Sequence, residues 1–169
     1  MATHLKNLSD FSHLEIPSAK PYKIGIVVSM WNAEITGALL EGAVDLLLAN
    51  KLKEENLQVI QVPGSYELTS GADLLYQNSG VDAVICLGCV IQGDTRHFDF
   101  ICQAVSQGLT QVSLKHNKPV IFGVLTTDNQ QQALDRAGGK YGNKGEEAAV
   151  TAIHMAALQA RLKDKVSNR

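Results

Sequence analysis

Residues 81–99 read VDAVICLGCVIQGDTRHFD, and this stretch decides the fold. Its first part, VDAVICLGCVI, is an apolar run of the kind that forms a strand buried on both faces of a sheet. The letters QGDT that follow are typical of a loop, and apolar residues then recur at helical spacing from about residue 96 to 115. A buried strand that leads through a short loop into a helix is the repeating unit of α/β domains.

The same unit occurs on both sides of this stretch. Three further strands are predicted: KIGIVVS at 23–29, LQVIQV at 57–62 and PVIFGVLT at 119–126. Helices are predicted from Asn32, in the N-cap position, to about residue 53, along Leu68, Ala72 and Leu75, near 129–137, and from about 145 to 165, after the glycine-rich loop GGKYGNKG. This alternation predicts a three-layer, flavodoxin-like α/β domain, in which helices cover both faces of a four-stranded parallel sheet.

The length of the chain and the polarity of its beginning indicate the domain organisation. With 169 residues, the chain suits one domain with one core. Residues 1–20 are polar and non-periodic, and Pro17 and Pro21 frame their end. We therefore predict a mobile N-terminal arm at 1–20 and a single domain at 21–169.

Charge and hydropathy exclude several classes of protein. The 15 Lys and Arg residues do not outnumber the 17 Asp and Glu residues, and without a basic stripe we expect no nucleic-acid partner. The chain begins without the pattern of a secretory signal, and it lacks a run of about 18 apolar residues that would span a membrane. We expect a cytoplasmic protein with no membrane partner.

The three cysteines raise the question of a metal site, because Cys86 and Cys89 form a C-x-x-C pattern. Both lie in the apolar run, and a separation of three residues sends their side chains to opposite faces of a strand. They are therefore poorly placed to share one ion. We interpret Cys86, Cys89 and Cys102 as reduced thiols and predict no metal site.

The carboxyl ends of the four predicted strands indicate where a ligand binds, because parallel α/β sheets bind ligands beyond these ends. The residues concerned are 31–32, 64–67, 88–97 and 126–128. The Gly-Asp-Thr turn at 93–95 opens a helix, so its backbone N–H groups would suit a phosphate; Asp94 or Thr95 would equally serve as a simple helix cap. His97, on the first helical turn, suits proton transfer, although an isolated histidine is also a common surface residue.

Other side chains at this edge allow two interpretations each. Trp31, the only tryptophan, is suited to stacking on a planar ring next to the polar Asn32, or to core packing. Glu67 is suited to binding sugar hydroxyls, or to the first turn of a helix as an acid. Arg136 and Lys144 would complete a phosphate site with the Gly-Asp-Thr turn, or they are solvated charges.

The separate motifs resemble one family, the lumazine synthases. The resemblance rests on S-x-W-N at 29–32, VPGSYEL at 62–68, LGCVIQGDTRHFD at 87–99, PVIFGVLT at 119–126, QALDRAG at 132–138 and GNKGEEAA at 142–149. These segments match in type and order and cover nearly everything after residue 20. The changes from the commonest pattern are mild, since Trp31 stands for a more usual Phe and Ser65 for a frequent Ala.

The resemblance implies a condensation of 5-amino-6-(D-ribitylamino)uracil with 3,4-dihydroxy-2-butanone 4-phosphate, without a metal or organic cofactor. It implies a pyrimidine and ribityl site made of Trp31, Asn32, Ser65, Tyr66, Glu67, the main chain of Cys89, Val90 and Ile91, Lys144, and Phe122 from a neighbouring subunit. It implies a phosphate site made of the backbone of Asp94 and Thr95 with Arg136. His97 would shuttle protons.

The resemblance also implies a homopentamer, with riboflavin synthase as a partner that consumes the product. In some family members twelve pentamers form a hollow shell, and the short GGKYGNKG link resembles that type. The N-terminal arm would oppose closure of a shell. A single pentamer and a shell of twelve pentamers are therefore both kept as alternatives. A non-catalytic flavin or lumazine carrier is the alternative, which His97 and Arg136 disfavour. A receiver-type signalling domain would need acidic residues where Ser29, Met30 and Trp31 stand.

Overall fold

The four long strands lie side by side in the order β2-β1-β3-β4, all parallel, in the computed structural model, which describes residues 7–167. The strands are β1 (Ile24–Ser29), β2 (Leu57–Val62), β3 (Ala83–Ile91) and β4 (Val120–Thr127). The helices are α1 (Ala33–Ala49), α2 (Leu68–Asn78), α3 (His97–His116), α4 (Gln130–Leu134) and α5 (Lys144–Ser167). The predicted flavodoxin-like α/β sheet is confirmed.

Two apolar cores lie on the two faces of this sheet. One face packs against α1 and α5, and the other packs against α2 and α3. Successive residues of β1 alternate between the cores, as Ile26 and Val28 belong to the first and Val27 to the second. Cys89 belongs to the first core and Cys86 to the second, so the prediction that they point to opposite faces is confirmed.

The strands differ in how far they run, and this difference shapes the carboxyl edge of the sheet. The pairing of β1 with β3 ends at Val28 and Leu87. The pairing of β3 with β4 continues to Ile91 and Thr127. The last four residues of β3 therefore have a strand on the β4 side only, and loops fill the other side.

The helices begin and end close to their predicted limits, with one clear exception. We predicted that the first helix would run to about residue 53, but α1 ends at Ala49. The side chain of Asn50 donates a hydrogen bond to the Leu46 carbonyl over 2.8 Å, and Lys51 has a left-handed backbone with φ 72°. This turn ends the helix, since a left-handed residue cannot continue it.

The glycine-rich loop contains a small hairpin that the sequence did not predict. Its strands are β5 (Ala137–Gly139) and β6 (Gly142–Asn143), and they pair antiparallel. Gly138 and Gly142 have positive φ angles of 99° and 82°, a conformation that favours glycine. The short helix predicted near 129–137 is α4, which ends at Leu134 because the hairpin follows.

The segment before β1 contacts the domain from residue 7 onward, while residues 1–6 of the predicted arm lie outside the described residues. The Leu8 side chain is buried, and its N–H donates to the Tyr141 carbonyl over 2.7 Å. Ser9 Oγ accepts a hydrogen bond from the Asn143 N–H, and Ala19 is fully buried. Among the described helices, none has the length and apolar character that crossing a membrane requires.

Candidate active site

Two loops at the carboxyl edge converge on one backbone atom, the carbonyl oxygen of Cys89. Asn32 Nδ2 donates to this oxygen over 3.0 Å, and Ser65 Oγ donates to it over 3.4 Å. Asn32 follows β1, Ser65 follows β2 and Cys89 lies in β3, so the contacts tie three strand ends together. Asn32 occupies the predicted N-cap position, but its backbone is left-handed (φ 58°) and its side chain makes no cap. The predicted N-cap position is therefore confirmed, while the side-chain amide bonds to Cys89 and not to the helix end.

Trp31 lies on the backbone of Gly64 and leaves most of its ring open. The side chain is 66% exposed, so core packing does not describe it. A Cβ atom at residue 64 would come within 2.6 Å of Trp31 Cε3 and Cζ3, closer than real atoms approach. Gly64 has φ −133°, which any residue adopts, so the ring and not the backbone requires glycine here. The exposed ring face is available for stacking on a flat ligand.

Glu67 folds back over the same turn. Its Oε2 atom accepts a hydrogen bond from the Gly64 N–H over 2.9 Å, and the residue is half-buried. Among the described residues no hydrogen bond uses the other carboxylate oxygen. This oxygen can accept from a ligand hydroxyl. Tyr66, next to it, is 57% exposed.

Val90 and Ile91 follow Cys89 and are the last two residues of β3, at the carboxyl edge of the sheet. Both residues are half-buried, and they pair with Thr126 and Thr127 of β4. On the β1 side this part of β3 has no strand partner. Backbone groups that face this side are therefore suited to the polar edge of a planar heterocycle.

The Gly-Asp-Thr turn leads from β3 into α3, and all three of its residues are exposed. The His97 N–H donates to Thr95 Oγ1 over 3.4 Å, so Thr95 partly caps the helix. His97 is the first residue of α3 and is exposed, where its ring can reach a ligand at the edge. The free N–H groups of this helical end suit an anion.

Arg136 and Lys144 lie together, beside the hairpin. The Lys144 N–H donates to the Arg136 carbonyl over 2.9 Å. The Arg136 guanidinium donates to the Gln132 carbonyl over 2.8 Å and lies 4.9 Å from the centre of the Tyr141 ring. The Lys144 ammonium pairs with Glu147 over 2.5 Å. In the described part of the chain no hydrogen bond joins Arg136 to Asp94 or Thr95.

Phe122 lies apart from the other candidate residues. It pairs with Cys86, four residues before the level of Val90 on β3, which corresponds to about 13 Å along the strand. Its side chain is 38% exposed and, with Leu109 and Leu114 of α3, lines a groove beside the outer edge of β4.

The three thiols are free. Burial raises the pKa of Cys89 to about 11, and it raises the pKa of Cys86 further. Burial, with help from the nearby Asp99 charge, also raises the pKa of Cys102. None of the three is activated as a thiolate. Among the described residues no group of three or more His, Cys, Asp or Glu side chains is arranged to hold a metal ion.

Three further residues shape this edge: the sequence placed Gly64 in the strand end at 64–67 without a role of its own, and it did not indicate Asn143 or Glu147. Gly64 supports the tryptophan, Glu147 neutralises Lys144, and buried Asn143 donates from Nδ2 to the Ala38 carbonyl over 2.9 Å. The Pro-Gly pair was a usable signal for the first, because it marks a turn at a strand end. The other two depend on contacts that no local pattern encodes.

Comparison with known proteins agrees with the motifs. The family model described as 6,7-dimethyl-8-ribityllumazine synthase matches residues 21–160. A protein of that name from Cytophaga hutchinsonii is 61% identical over 157 residues, which cover 93% of this chain and 98% of the relative. Proteins of the same name from Parabacteroides distasonis and Porphyromonas gingivalis are 54% and 52% identical, over 95% and 94% of this chain and 100% and 99% of their own length. The resemblance is thereby confirmed, and the chain belongs to the 6,7-dimethyl-8-ribityllumazine synthase family.

Proposed function

We propose that this chain condenses 5-amino-6-(D-ribitylamino)uracil with 3,4-dihydroxy-2-butanone 4-phosphate to give 6,7-dimethyl-8-ribityllumazine, the penultimate step of riboflavin biosynthesis. The observation that carries the proposal is the family match over residues 21–160. The geometry of the carboxyl edge supports it, because an open aromatic ring, a carboxylate and a part of β3 without a strand partner on the β1 side lie together there.

In this proposal the pyrimidine stacks on Trp31 and its polar edge meets the main chain of Cys89, Val90 and Ile91. The open face of the tryptophan ring and the free side of β3 support this arrangement. The ribityl chain is held by Asn32, Glu67 and Lys144, with Ser65 and Tyr66 beside it. The unused carboxylate oxygen of Glu67 supports its part, since sugar hydroxyls donate readily to carboxylates.

The phosphate of the second substrate binds at the beginning of α3, to the backbone of Asp94 and Thr95 and to Arg136. The exposed helical end supports the first part of this assignment. In the described residues Arg136 is hydrogen-bonded within its own segment, so its guanidinium reaches a phosphate by exchanging the Gln132 contact or by serving a neighbouring subunit.

The reaction joins two nitrogens to the four-carbon chain and releases phosphate. The 5-amino nitrogen attacks the ketone carbon, and loss of one water gives an imine. Removal of the proton from the hydroxyl-bearing carbon and departure of the phosphate with its C–O electron pair leave an enol, which becomes a ketone. The ribitylamino nitrogen attacks this ketone, and loss of a second water closes the ring.

Each of these steps moves protons and none transfers electrons to an acceptor, so no metal or organic cofactor is part of the proposal. His97 would donate and remove protons, and a positioned acid or base of this kind contributes about 10²- to 10⁴-fold. Orientation of the two bound substrates would contribute further. We propose that the reaction takes place in the cytoplasm, and the three free cysteines support this location. We propose that riboflavin synthase uses the product.

A homopentamer is part of the same proposal, and the edge of the sheet at β4 supports it. Five exposed apolar side chains line two adjoining grooves on this side: Leu114, Phe122, Met155, Leu158 and Leu162, called here the β4-edge face. Apolar surface on an unpaired edge strand is typical of an interface. Phe122 of one copy would then reach the pyrimidine site of its neighbour, which explains its distance from Val90 in its own chain.

The test is product formation by the purified chain from both substrates, followed by lumazine absorbance against a control without enzyme. We expect saturable acceleration that needs both substrates and that Arg136→Ala reduces by raising the KM of the ketone. Rates equal to the control would contradict the proposal. Tight product binding without acceleration would point to a carrier.

A further inference from the structure

The side chains of Ser65 and Asn32 both donate to one backbone carbonyl of β3, that of Cys89, which lies beyond the end of the pairing with β1. Beyond Leu87 the side of β3 that faces β1 pairs with no strand, because β1 ends at Ser29. The Cys89 carbonyl opens to this side and accepts from both Asn32 Nδ2 and Ser65 Oγ. A carbonyl oxygen has two lone pairs, so these two donors fill it.

We infer that Ser65 is a positioning residue, which acts through the Cys89 carbonyl to fix the backbone of Val90 and Ile91 against the pyrimidine. This inference rests on the proposed pyrimidine site. The Ser65 hydroxyl donates its proton to the Cys89 carbonyl, so this proton does not bind the substrate. The Cys89 carbonyl is therefore filled by the protein, so it does not itself accept from the heterocycle, and holding it positions the adjoining main chain of Val90 and Ile91.

The packing around Ser65 supports a fixed orientation of this hydroxyl. The residue is 7% exposed, and Cys89 is 5% exposed. A Cβ atom at Gly88 would lie 2.7 Å from Ser65 Oγ, so the hydroxyl occupies space that only glycine leaves on β3. Among the described residues this hydroxyl has one acceptor, the Cys89 carbonyl at 3.4 Å, so it has few alternative orientations.

The first variant is Ser65→Ala, with Ser65→Cys as a matched control for shape and Ser65→Thr as the conservative rescue. We expect Ser65→Ala and Ser65→Cys to raise the KM of the aminopyrimidine about 3- to 10-fold, the effect of losing one buried hydrogen bond. Cysteine is similar in size but a weak donor, so it behaves like alanine. The KM of the ketone should change less than about 2-fold, within ordinary scatter for a distant site.

A second measurement keeps the test informative if threonine does not fit. In a double-mutant cycle, Asn32→Gly keeps the left-handed backbone while removing the amide. Because both side chains hold one oxygen, the aminopyrimidine KM of the double variant should differ at least about 3-fold from the product of the two single effects. Purely multiplicative effects would overturn the inference, as would Ser65→Ala with an unchanged aminopyrimidine KM.

Trp31→Ala and Glu67→Gln separate this inference from the site assignment. If both variants raise the aminopyrimidine KM and Ser65→Ala does not, the site stands and the positioning role fails. If neither variant raises it, the site assignment is wrong and the inference fails with it. A rise in the KM of both substrates for Ser65→Ala would show general damage and would also overturn it.

Discussion

At the residue scale, the candidate site depends on a few close contacts between loops that are far apart in sequence. Trp31 lies against Gly64, and Asn32 bonds to Cys89 across 57 residues. The sequence indicated Trp31, Asn32 and Cys89 as site residues because they follow or end predicted strands. It did not indicate which of these residues contact one another, since a contact between distant residues leaves no periodic pattern.

Gly64→Ala should move the Trp31 ring while leaving the backbone unstrained. The new Cβ would lie 2.6 Å from two ring atoms, so the ring must shift. We expect the aminopyrimidine KM to rise about 3- to 10-fold from the weakened stacking. Emission from Trp31, the only tryptophan, should change in the free protein. Gly80→Ala is the matched control, because a Cβ there meets no atom within 4 Å. Identical emission spectra would count against the contact.

His97→Ala should lower kcat by about 10- to 10³-fold, with the smaller values reflecting the spontaneous reactivity of the substrates. The reason is the loss of a proton carrier at the beginning of α3. Steady-state kinetics with both substrates gives the value, and His13→Ala, an exposed histidine before β1, is the control. A His97→Ala enzyme with full kcat would remove this residue from the chemistry.

At the element scale, strands and helices were largely predictable because the buried apolar residues form continuous runs in strands and recur at helical spacing in helices. All four long strands begin and end within two residues of the prediction. The end of α1 was not predictable, because Leu52 continues the apolar pattern of Leu46, Leu47 and Leu48 past the turn that Lys51 makes. The hairpin was missed because its strands are only three and two residues long.

An ion-pair cluster joins α2 to the end of α3, far from the carboxyl edge. Asp73 Oδ1 lies 2.8 Å from Lys115 Nζ and 2.7 Å from His116 Nε2. Hydrogen bonds from Lys115 and then His116 lower the pKa of Asp73 below its usual value. A lowered pKa means that the folded state favours the charged carboxylate.

Asp73→Asn should therefore lower the free energy of unfolding at neutral pH, and the difference from the wild type should shrink in acid. The wild-type carboxylate stabilises the fold above its unfolded pKa of about 4, and this contribution is lost as the pH falls through the lower folded value. Denaturant titrations from pH 7 down to about pH 3 measure it. Asp45→Asn, an exposed carboxylate of α1, is the control. A constant difference across this range would contradict a stabilising role of the Asp73 carboxylate.

At the scale of the whole molecule, the fold was predictable from the alternation of elements, and the family from the motifs. The pentamer is implied by the resemblance alone, because the residue pattern of one chain does not show which exposed surface a second copy covers. The β4-edge face includes Leu114, which is 71% exposed, and Phe122, which is 38% exposed. The proposed pentamer covers this surface and brings Phe122 to a second copy.

Leu114→Asp should weaken the assembly, because a carboxylate in an apolar interface loses its water without gaining a partner. We expect sedimentation to show smaller species and the specific activity to fall with them. Leu14→Asp, at an exposed leucine in the segment before β1, should keep both the assembly and the activity. Monomers that remain fully active would remove the neighbour from the site.

The most direct test of a site built from two copies is complementation between His97→Ala and Phe122→Ala, co-expressed after each variant alone is shown to assemble. If His97 and Phe122 of one site come from different subunits, random mixing in a ring restores both residues at about one quarter of the sites. We expect the mixed oligomer to regain about this fraction of wild-type activity. A mixture no more active than the average of its two parents would contradict it, because each site would then take both residues from one chain.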